Sequence, residues 1–224
     1  MQILYTMKVL KDKYDKTQIS SLPRVQFEGR IITILCESDA KKAVDYLLNQ
    51  DILGMDTETK PSFKKGSSHQ VALLQIADED TCFLFRLNRT GITTSIKKLL
   101  EDRTVPKIGL SLHDDIRALN KRSEFIPGTY IDIQNEVKNI GIEDMSLQKI
   151  YANVFGQKIS KSQQLSNWEA DSLSEAQQRY AATDAWACIQ IYKELHNLKT
   201  SGDYILEHTS EIEDEKNSKD KSVV

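Results

Sequence analysis

The order of its apolar runs constrains the fold of this chain more than any other feature of the sequence. Runs of β-branched and apolar residues predict six strands, with segments of helical periodicity between and after them. The predicted strands are Arg30–Leu35, Ile52–Glu58, Val71–Ala77, Thr81–Leu87, Lys107–Leu112 and Tyr130–Asp132. A chain that begins with strands, then alternates strands with helices and ends in helices favours an α/β fold, with a mixed central sheet flanked by helices.

The helices are predicted from the spacing of apolar residues and from capping signals. Apolar residues recur at helical spacing in Asp39–Asn49, Thr94–Asp102 and Asp114–Arg122. The clearest helix is the last one, which opens with a capping box over Ser174–Gln177 and which we expect to reach about Leu198.

The two ends of the chain carry weaker patterns than its middle. A length of 224 residues suits one α/β domain and is short for two. We expect an N-terminal extension over residues 1–26, a single domain over 27–206 and a charged, disordered tail over 207–224. Within the domain, Lys60–Ser68 contains proline, glycine and several serines, which predicts a loop.

Bulk composition excludes several classes of protein. Hydrophobic residues make up 39% of the chain, and no apolar run approaches the roughly 18 residues of a membrane span. The three cysteines, Cys36, Cys82 and Cys188, fit neither a disulfide framework nor a zinc site. We therefore expect a cytoplasmic protein without a secretory signal and without a membrane partner. The net charge of −3 does not exclude a nucleic-acid processing enzyme, because bound metal ions can supply positive charge locally.

The first chemical signal is a pair of acids at the end of an apolar run. Asp56 and Glu58 lie two residues apart on a predicted strand, so their side chains point to the same face. Two carboxylates this close repel each other unless a cation lies between them, and oxygen ligands suit Mg²⁺ or Mn²⁺. With 33 acidic residues in the chain, such a pair is also expected by chance. The alternative interpretation is a solvated strand end that binds no metal.

Two further signals follow along the chain. Tyr180 and Asp184 lie four residues apart on the last predicted helix, which places them on one helical face. The predicted strand from Lys107 runs out into Asp114 and Asp115 at the start of the next helix. Each signal is weak alone, because a surface pair explains the first and a favourable interaction with the helix dipole explains the second.

Taken together and in this order, the three signals resemble the exonuclease motifs of the DEDD superfamily, in its tyrosine-bearing branch. The resemblance is strongest to the Werner-syndrome type of exonuclease domain, includes ribonuclease D, and covers roughly Ile31 to Tyr192. Other segments similar to that branch are Val71–Ile76, Lys107–Gly109, Ser166–Trp168 and, most specifically, Tyr180–Ala187.

The resemblance implies a ribonuclease-H-like fold and a set of site residues. Its catalytic residues match Asp56, Glu58, Asp115, Tyr180 and Asp184, and the four acids among them match the metal ligands. The family spacing of six residues from Gly109 selects Asp115, and Asp114 remains the alternative. Thr57 and Thr59 are expected to lie against the terminal nucleotide.

The implied activity is that of a 3′→5′ exonuclease. We expect two divalent metal ions, Mg²⁺ or Mn²⁺, to support hydrolysis that releases nucleoside 5′-monophosphates from a nucleic-acid 3′ end. The Tyr180 hydroxyl would orient the attacking water, because an ordinary phenol is a poor base at neutral pH, and His69 is a weaker candidate for a base.

The expected substrate is DNA rather than RNA, because ribonuclease D carries further helical domains for which the chain after Leu198 is too short. The alternatives are RNA 3′-end trimming of the ribonuclease D type and a non-catalytic nucleic-acid-binding module on the same fold. A helicase or polymerase partner would be a separate chain.

Overall fold

A computed structural model describes residues 7–63 and 68–209 of the chain. Ten strands lie within these ranges: β1 Lys8–Lys11, β2 Arg24–Val25, β3 Arg30–Ile34, β4 Leu53–Thr59, β5 Val71–Ala77, β6 Thr81–Arg86, β7 Lys107–Gly109, β8 Tyr130–Asp132, β9 Lys158–Ile159 and β10 Tyr204–Glu207. The α-helices there are α1 Glu37–Leu47, α2 Leu87–Thr90, α3 Thr94–Glu101, α4 Leu112–Arg122, α5 Ile133–Lys138, α6 Leu147–Phe155 and α7 Glu175–Ser201. A 3₁₀ helix spans Lys16–Ser21. Within the same ranges, no helix is both long and apolar enough to cross a membrane.

The six predicted strands form one central sheet in the order β3-β6-β5-β4-β7-β8. Strand β5 pairs antiparallel with both β4 and β6, whereas the outer pairs β3–β6, β4–β7 and β7–β8 are parallel. The predicted α/β fold with a mixed sheet flanked by helices is therefore confirmed.

Helices cover both faces of this sheet. On one face, apolar residues of α1, α3 and α4 pack against β4, β5 and β6. On the other face, α7 lies across β4, β5 and β6, and α5 and α6 pack beside it. The predicted capping box is present at Ser174 and Gln177, so the strongest local signal in the sequence does begin the longest described helix.

The crossing of α7 over β4 is unusually close, and a glycine permits it. A Cβ atom placed on Gly54 would lie 2.0 Å from the carbonyl oxygen of Ala185 in α7. Three alanines of the same helix, Ala181, Ala182 and Ala185, are 0% exposed against the sheet. Small residues on both sides thus bring the backbone of α7 directly onto the strand that carries Asp56 and Glu58.

The structure differs from the expected boundaries at both ends of the domain. Within the expected extension, β1 pairs in parallel with β10, β2 pairs with β9, and Leu10 lies in the core. Within the expected tail, Glu207 belongs to β10 and Thr209 donates hydrogen bonds to Asp12. The rest of the tail, residues 210–224, lies outside the described residues, as do residues 1–6 and positions 64–67 of the expected loop.

Some element bounds also differ from the sequence-based ones. The strand expected to reach Leu112 ends at Gly109, and Leu112 begins α4 two residues before the expected start. The reason is a tight turn at Ser111, whose φ of 59° is in the left-handed region. Asp114 and Asp115 therefore lie in the first turn of α4, as its third and fourth residues rather than its first two.

Candidate active site

Three carboxylates converge where α7 crosses β4. Asp56 and Glu58 extend from the same face of β4, because side chains alternate along a strand. Asp184 extends from α7 toward them. Oxygen atoms of these three side chains lie within 4.8 Å of one another. The close crossing at Gly54 therefore assembles acids that are more than 120 positions apart in the sequence.

The fourth acid enters from the first turn of α4. The Thr57 hydroxyl donates a hydrogen bond to the carboxylate of Asp115. Asp115 is half-buried, whereas Asp114 is exposed. Neighbouring residues on a helix point about 100° apart, so only one of the two can face the other acids. The structure places Asp115 on the side of the site and Asp114 on the side of solvent.

The position of α4 depends on a carboxylate from the neighbouring strand. Asp132, at the end of β8, accepts hydrogen bonds from the backbone N–H groups of Ser111 and Leu112, at 3.1 and 3.0 Å. The same carboxylate accepts a bond from the N–H of Gln134 at the start of α5. Ser111 itself makes no side-chain capping bond. Asp132 thus caps two helices and holds the turn that presents Asp115.

Tyr180 lies one helical turn before Asp184 on the same face of α7. Both residues line the cleft, and the Tyr180 ring packs on Trp168 with the ring centroids 6.0 Å apart. Burial, and then the neighbouring acids, raise the pKa of the Tyr180 hydroxyl far above its ordinary value. The phenol therefore stays protonated and acts as a donor rather than as a base.

Burial destabilises the charged forms of all four acids, and the neighbouring acids add to this at Asp56 and Glu58. Burial, followed by the charges of the other acids, raises the pKa of Asp56 well above its ordinary value and that of Glu58 to about 9. Burial raises the pKa of Asp184 to about 7 and that of Asp115 to about 6. A divalent cation would reverse these shifts, because it favours the ionised carboxylates. An all-oxygen donor set of this kind fits such a cation.

Asp56, Glu58 and Asp184 line a cleft of about 350 Å³, whereas Asp115 is not among its lining residues. Asp56, Thr57 and Glu58 from β4 and Tyr180 and Asp184 from α7 form one side of the cleft. The facing side is formed by residues of two other segments, Met145–Gln148 and Ser160–Gln164. The cleft therefore gives a ligand direct access to every acid of the three-carboxylate cluster.

A lysine of the facing side adds positive charge to this acidic cleft. Lys161 lines the cleft and its charge acts to lower the pKa of Asp184. Sequence motifs did not single out this lysine, because one lysine in a serine- and glutamine-rich segment has no distinctive spacing. Cys188, one turn after Asp184, is buried and also borders the cleft.

Known proteins match the chain over the region that contains these motifs. The family model described as 3'-5' exonuclease matches residues 31–199. The chain is 31% identical over 191 residues to the mouse bifunctional 3'-5' exonuclease/ATP-dependent helicase WRN, across 80% of this chain. The chain belongs to the 3'-5' exonuclease family. The family resemblance inferred from the motifs is thereby confirmed.

Two other members show how far the likeness extends. The chain is 30% identical to DNA polymerase I of Aquifex aeolicus over 72% of its length. It spans only 13% of the mouse protein and 26% of the polymerase. The crystal structure of Escherichia coli RNase D, described as an exoribonuclease involved in structured RNA processing, superposes with a TM-score of 0.67 at 21% identity. That superposition covers 78% of this chain and 46% of RNase D, and it supports the expected ribonuclease-H-like fold.

Within this family fold, the expected site residues do not all reach the cleft. Thr57 lines it, whereas Thr59 is exposed at the end of β4 and is not among the lining residues. His69, the weaker candidate for a base, is also outside the lining; its Nδ1 atom lies 3.1 Å from the Glu169 carboxylate, which also contacts Lys60. Tyr180 lines the cleft with Asp184 and therefore remains the candidate for orienting the attacking water.

Proposed function

We propose that this chain removes nucleotides one at a time from the 3′ end of a nucleic acid, with DNA as the preferred substrate, and releases nucleoside 5′-monophosphates. The observation that carries the proposal is the convergence of Asp56, Glu58 and Asp184 in one open cleft, with Asp115 beside them. A non-catalytic module would have no need of four neighbouring acids whose pKa values are all raised chiefly by burial.

The acids are proposed to hold two divalent cations, Mg²⁺ or Mn²⁺. Asp56, Glu58 and Asp184 would hold one ion, and Asp56 together with Asp115 would help to hold the other. When bound, such ions supply a water of lowered pKa and stabilise the leaving 3′ oxygen of a phosphodiester. The raised pKa values mean that cation binding displaces protons from these carboxyl groups.

The remaining polar groups are proposed to orient the substrate. The Tyr180 hydroxyl, kept protonated by its surroundings, would hold the attacking water by a hydrogen bond. Lys161 is suited to the charge of the scissile phosphate, since it lines the same cleft. The Thr57 hydroxyl is engaged with Asp115, so its backbone, with that of Thr59, is the part proposed to contact the terminal nucleotide.

Identity supports DNA over RNA as the substrate. The sequence identity to a DNA polymerase is 30% over 72% of this chain. The identity to the exoribonuclease is only 21%, so that likeness shows a shared fold and no more. RNA 3′-end trimming is the second candidate function, because the fold itself is shared with that exoribonuclease.

A direct comparison of substrates tests the proposal. DNA and RNA of identical sequence, single- and double-stranded, would carry a label at either the 5′ or the 3′ end and would be incubated with Mg²⁺, Mn²⁺ or EDTA. We expect shortening from the 3′ end with either metal, none with EDTA, and faster degradation of DNA. Faster degradation of RNA would establish the second candidate instead, and release from the 5′ end would contradict both.

A further inference from the structure

A buried glutamine lies in the middle of β5 between apolar neighbours. All seven residues of this strand are buried, and Gln75 is 0% exposed. Within the described part of the chain, neither Oε1 nor Nε2 of its amide has a hydrogen-bond partner. Buried polar atoms without partners cost free energy that an apolar side chain of the same size would avoid. A role in the folded core alone therefore does not account for an amide at this position.

The register of the sheet places this amide beside a metal-ligand candidate. Gln75 and Asp56 are directly opposite each other across the antiparallel pair β4 and β5. Opposite residues point to the same face of a sheet, with their Cβ atoms about 4.5–5.5 Å apart. Here this is the face that α7 covers, because Gly54, two residues before Asp56, lies against the α7 backbone. Gln75 does not line the cleft and is fully buried, so its amide is not open to a ligand in the cleft.

We propose that Gln75 is a positioning residue for the cation site: its Nε2 amide, which has no partner among the described residues, donates a hydrogen bond to the Asp56 carboxylate when a cation is bound and fixes the orientation in which that carboxylate binds metal. Carboxylates that bind metals are themselves usually hydrogen-bonded, and the partners tune affinity. The inference rests on the proposed metal-dependent function and adds to it a residue that lies outside the cleft.

Replacement of the amide by an apolar group of similar length tests this role. Gln75→Met keeps the volume and removes both polar atoms, and Gln75→Leu repeats the change with a shorter side chain. We expect Mn²⁺ affinity, measured by calorimetry or by the loss of the free-ion EPR signal, to fall by roughly 10- to 100-fold. The metal-free melting temperature should stay unchanged or rise, because the unpartnered amide is gone.

A matched control separates this role from simple loss of packing. Ile76→Val changes the adjacent residue, which points to the opposite face of β5, and should lower the melting temperature without changing Mn²⁺ affinity. Unchanged Mn²⁺ affinity in both Gln75 variants would overturn the inference, and so would a large fall in their metal-free melting temperature. If the unmodified protein bound no Mn²⁺, the proposed function itself would fail, and the two failures are thus distinguishable.

Discussion

The Thr57 hydroxyl donates a hydrogen bond to the Asp115 carboxylate, which joins the strand of the first acidic motif to the helix of the second. The bond shows which of the two consecutive aspartates faces the strand that carries Asp56 and Glu58. It also means that the Thr57 side chain orients a metal-ligand candidate and is not free to contact a nucleotide.

Substitution of the two neighbouring aspartates should give opposite results. Asp115→Asn should reduce nucleotide release by roughly a thousandfold, because an amide oxygen is a poor replacement for a carboxylate beside a divalent cation. Asp114→Asn should retain most activity, since Asp114 is exposed and makes no capping bond at the start of α4. Both variants would be compared on one 3′-labelled substrate, and loss of activity in Asp114→Asn alone would mean that the second motif is misplaced by one residue.

Substitution of Asp132 should weaken metal binding, although Asp132 does not line the cleft. Asp132→Ala removes the acceptor for three backbone N–H groups at the starts of α4 and α5, and a lost helix cap typically costs about 1 kcal/mol. We expect a lower free energy of unfolding, measured by urea denaturation, together with a higher Mn²⁺ concentration for half-maximal activity. Asp132→Asn, which keeps one acceptor oxygen, should fall between the two proteins. If the Asp132→Ala variant lost stability but needed no more Mn²⁺ than the unmodified protein, the capping bonds of Asp132 would not be needed to position Asp115.

The raised pKa values predict how metal-free stability depends on pH. Each acid binds its proton more tightly in the folded than in the unfolded chain, so the folded state loses stability as the pH rises. For Asp115, Asp184 and Glu58 the loss extends from about pH 4 up through their pKa values of about 6, about 7 and about 9. In EDTA, the melting temperature should therefore fall by several degrees, roughly 5 °C, between pH 5.5 and pH 8.5.

Metal should remove much of this dependence, because it binds the ionised carboxylates. The rise in melting temperature caused by Mg²⁺ or Mn²⁺ should accordingly be larger at pH 8.5 than at pH 5.5. Asp184→Asn, which removes one of the mutually repelling acids, should be more stable than the unmodified protein in EDTA at the higher pH. A metal-free melting temperature that increased across this range would contradict the electrostatic description of the site.

The sequence predicts the site better than it predicts the periphery, for physical reasons. Alternation along a strand and the spacing of a helical turn are local rules, and they correctly grouped Asp56 with Glu58 and Tyr180 with Asp184. The pairing of β1 with β10 is long-range, and a four-residue strand with a single buried residue, Leu10, has no readable pattern.

Roles that depend on tertiary contacts also could not be predicted from the sequence. Asp132 reads as an ordinary acid at a strand end, and only the packing of β8 beside α4 turns it into a cap for two helices. Gln75 is visible as a polar residue in an apolar strand, but its relation to Asp56 follows from the register of the sheet.

The C-terminal boundary can be tested by two truncations. A chain that ends at Thr209 should melt and act like the full chain, because residues 210–224 are highly charged and contain few core-forming side chains. A chain that ends at Leu206 also loses Thr209, whose backbone N–H and hydroxyl donate to Asp12, and should be less stable by roughly 1–3 kcal/mol. Thermal melting of both proteins checks this, and equal stability of the two would show that the contact with Asp12 contributes nothing measurable.

One metal-binding site, built around Asp56, is proposed to perform the 3′→5′ hydrolysis. The most direct test of this proposal is the rate of mononucleotide release from a single-stranded, 3′-labelled DNA by the unmodified protein and by Asp56→Ala, each with Mn²⁺ and with EDTA. We expect release only from the unmodified protein with metal, and at least about a thousandfold loss, or about 4 kcal/mol of transition-state stabilisation, in the folded variant. Near-normal release by folded Asp56→Ala, or release that persists in EDTA, would contradict the account.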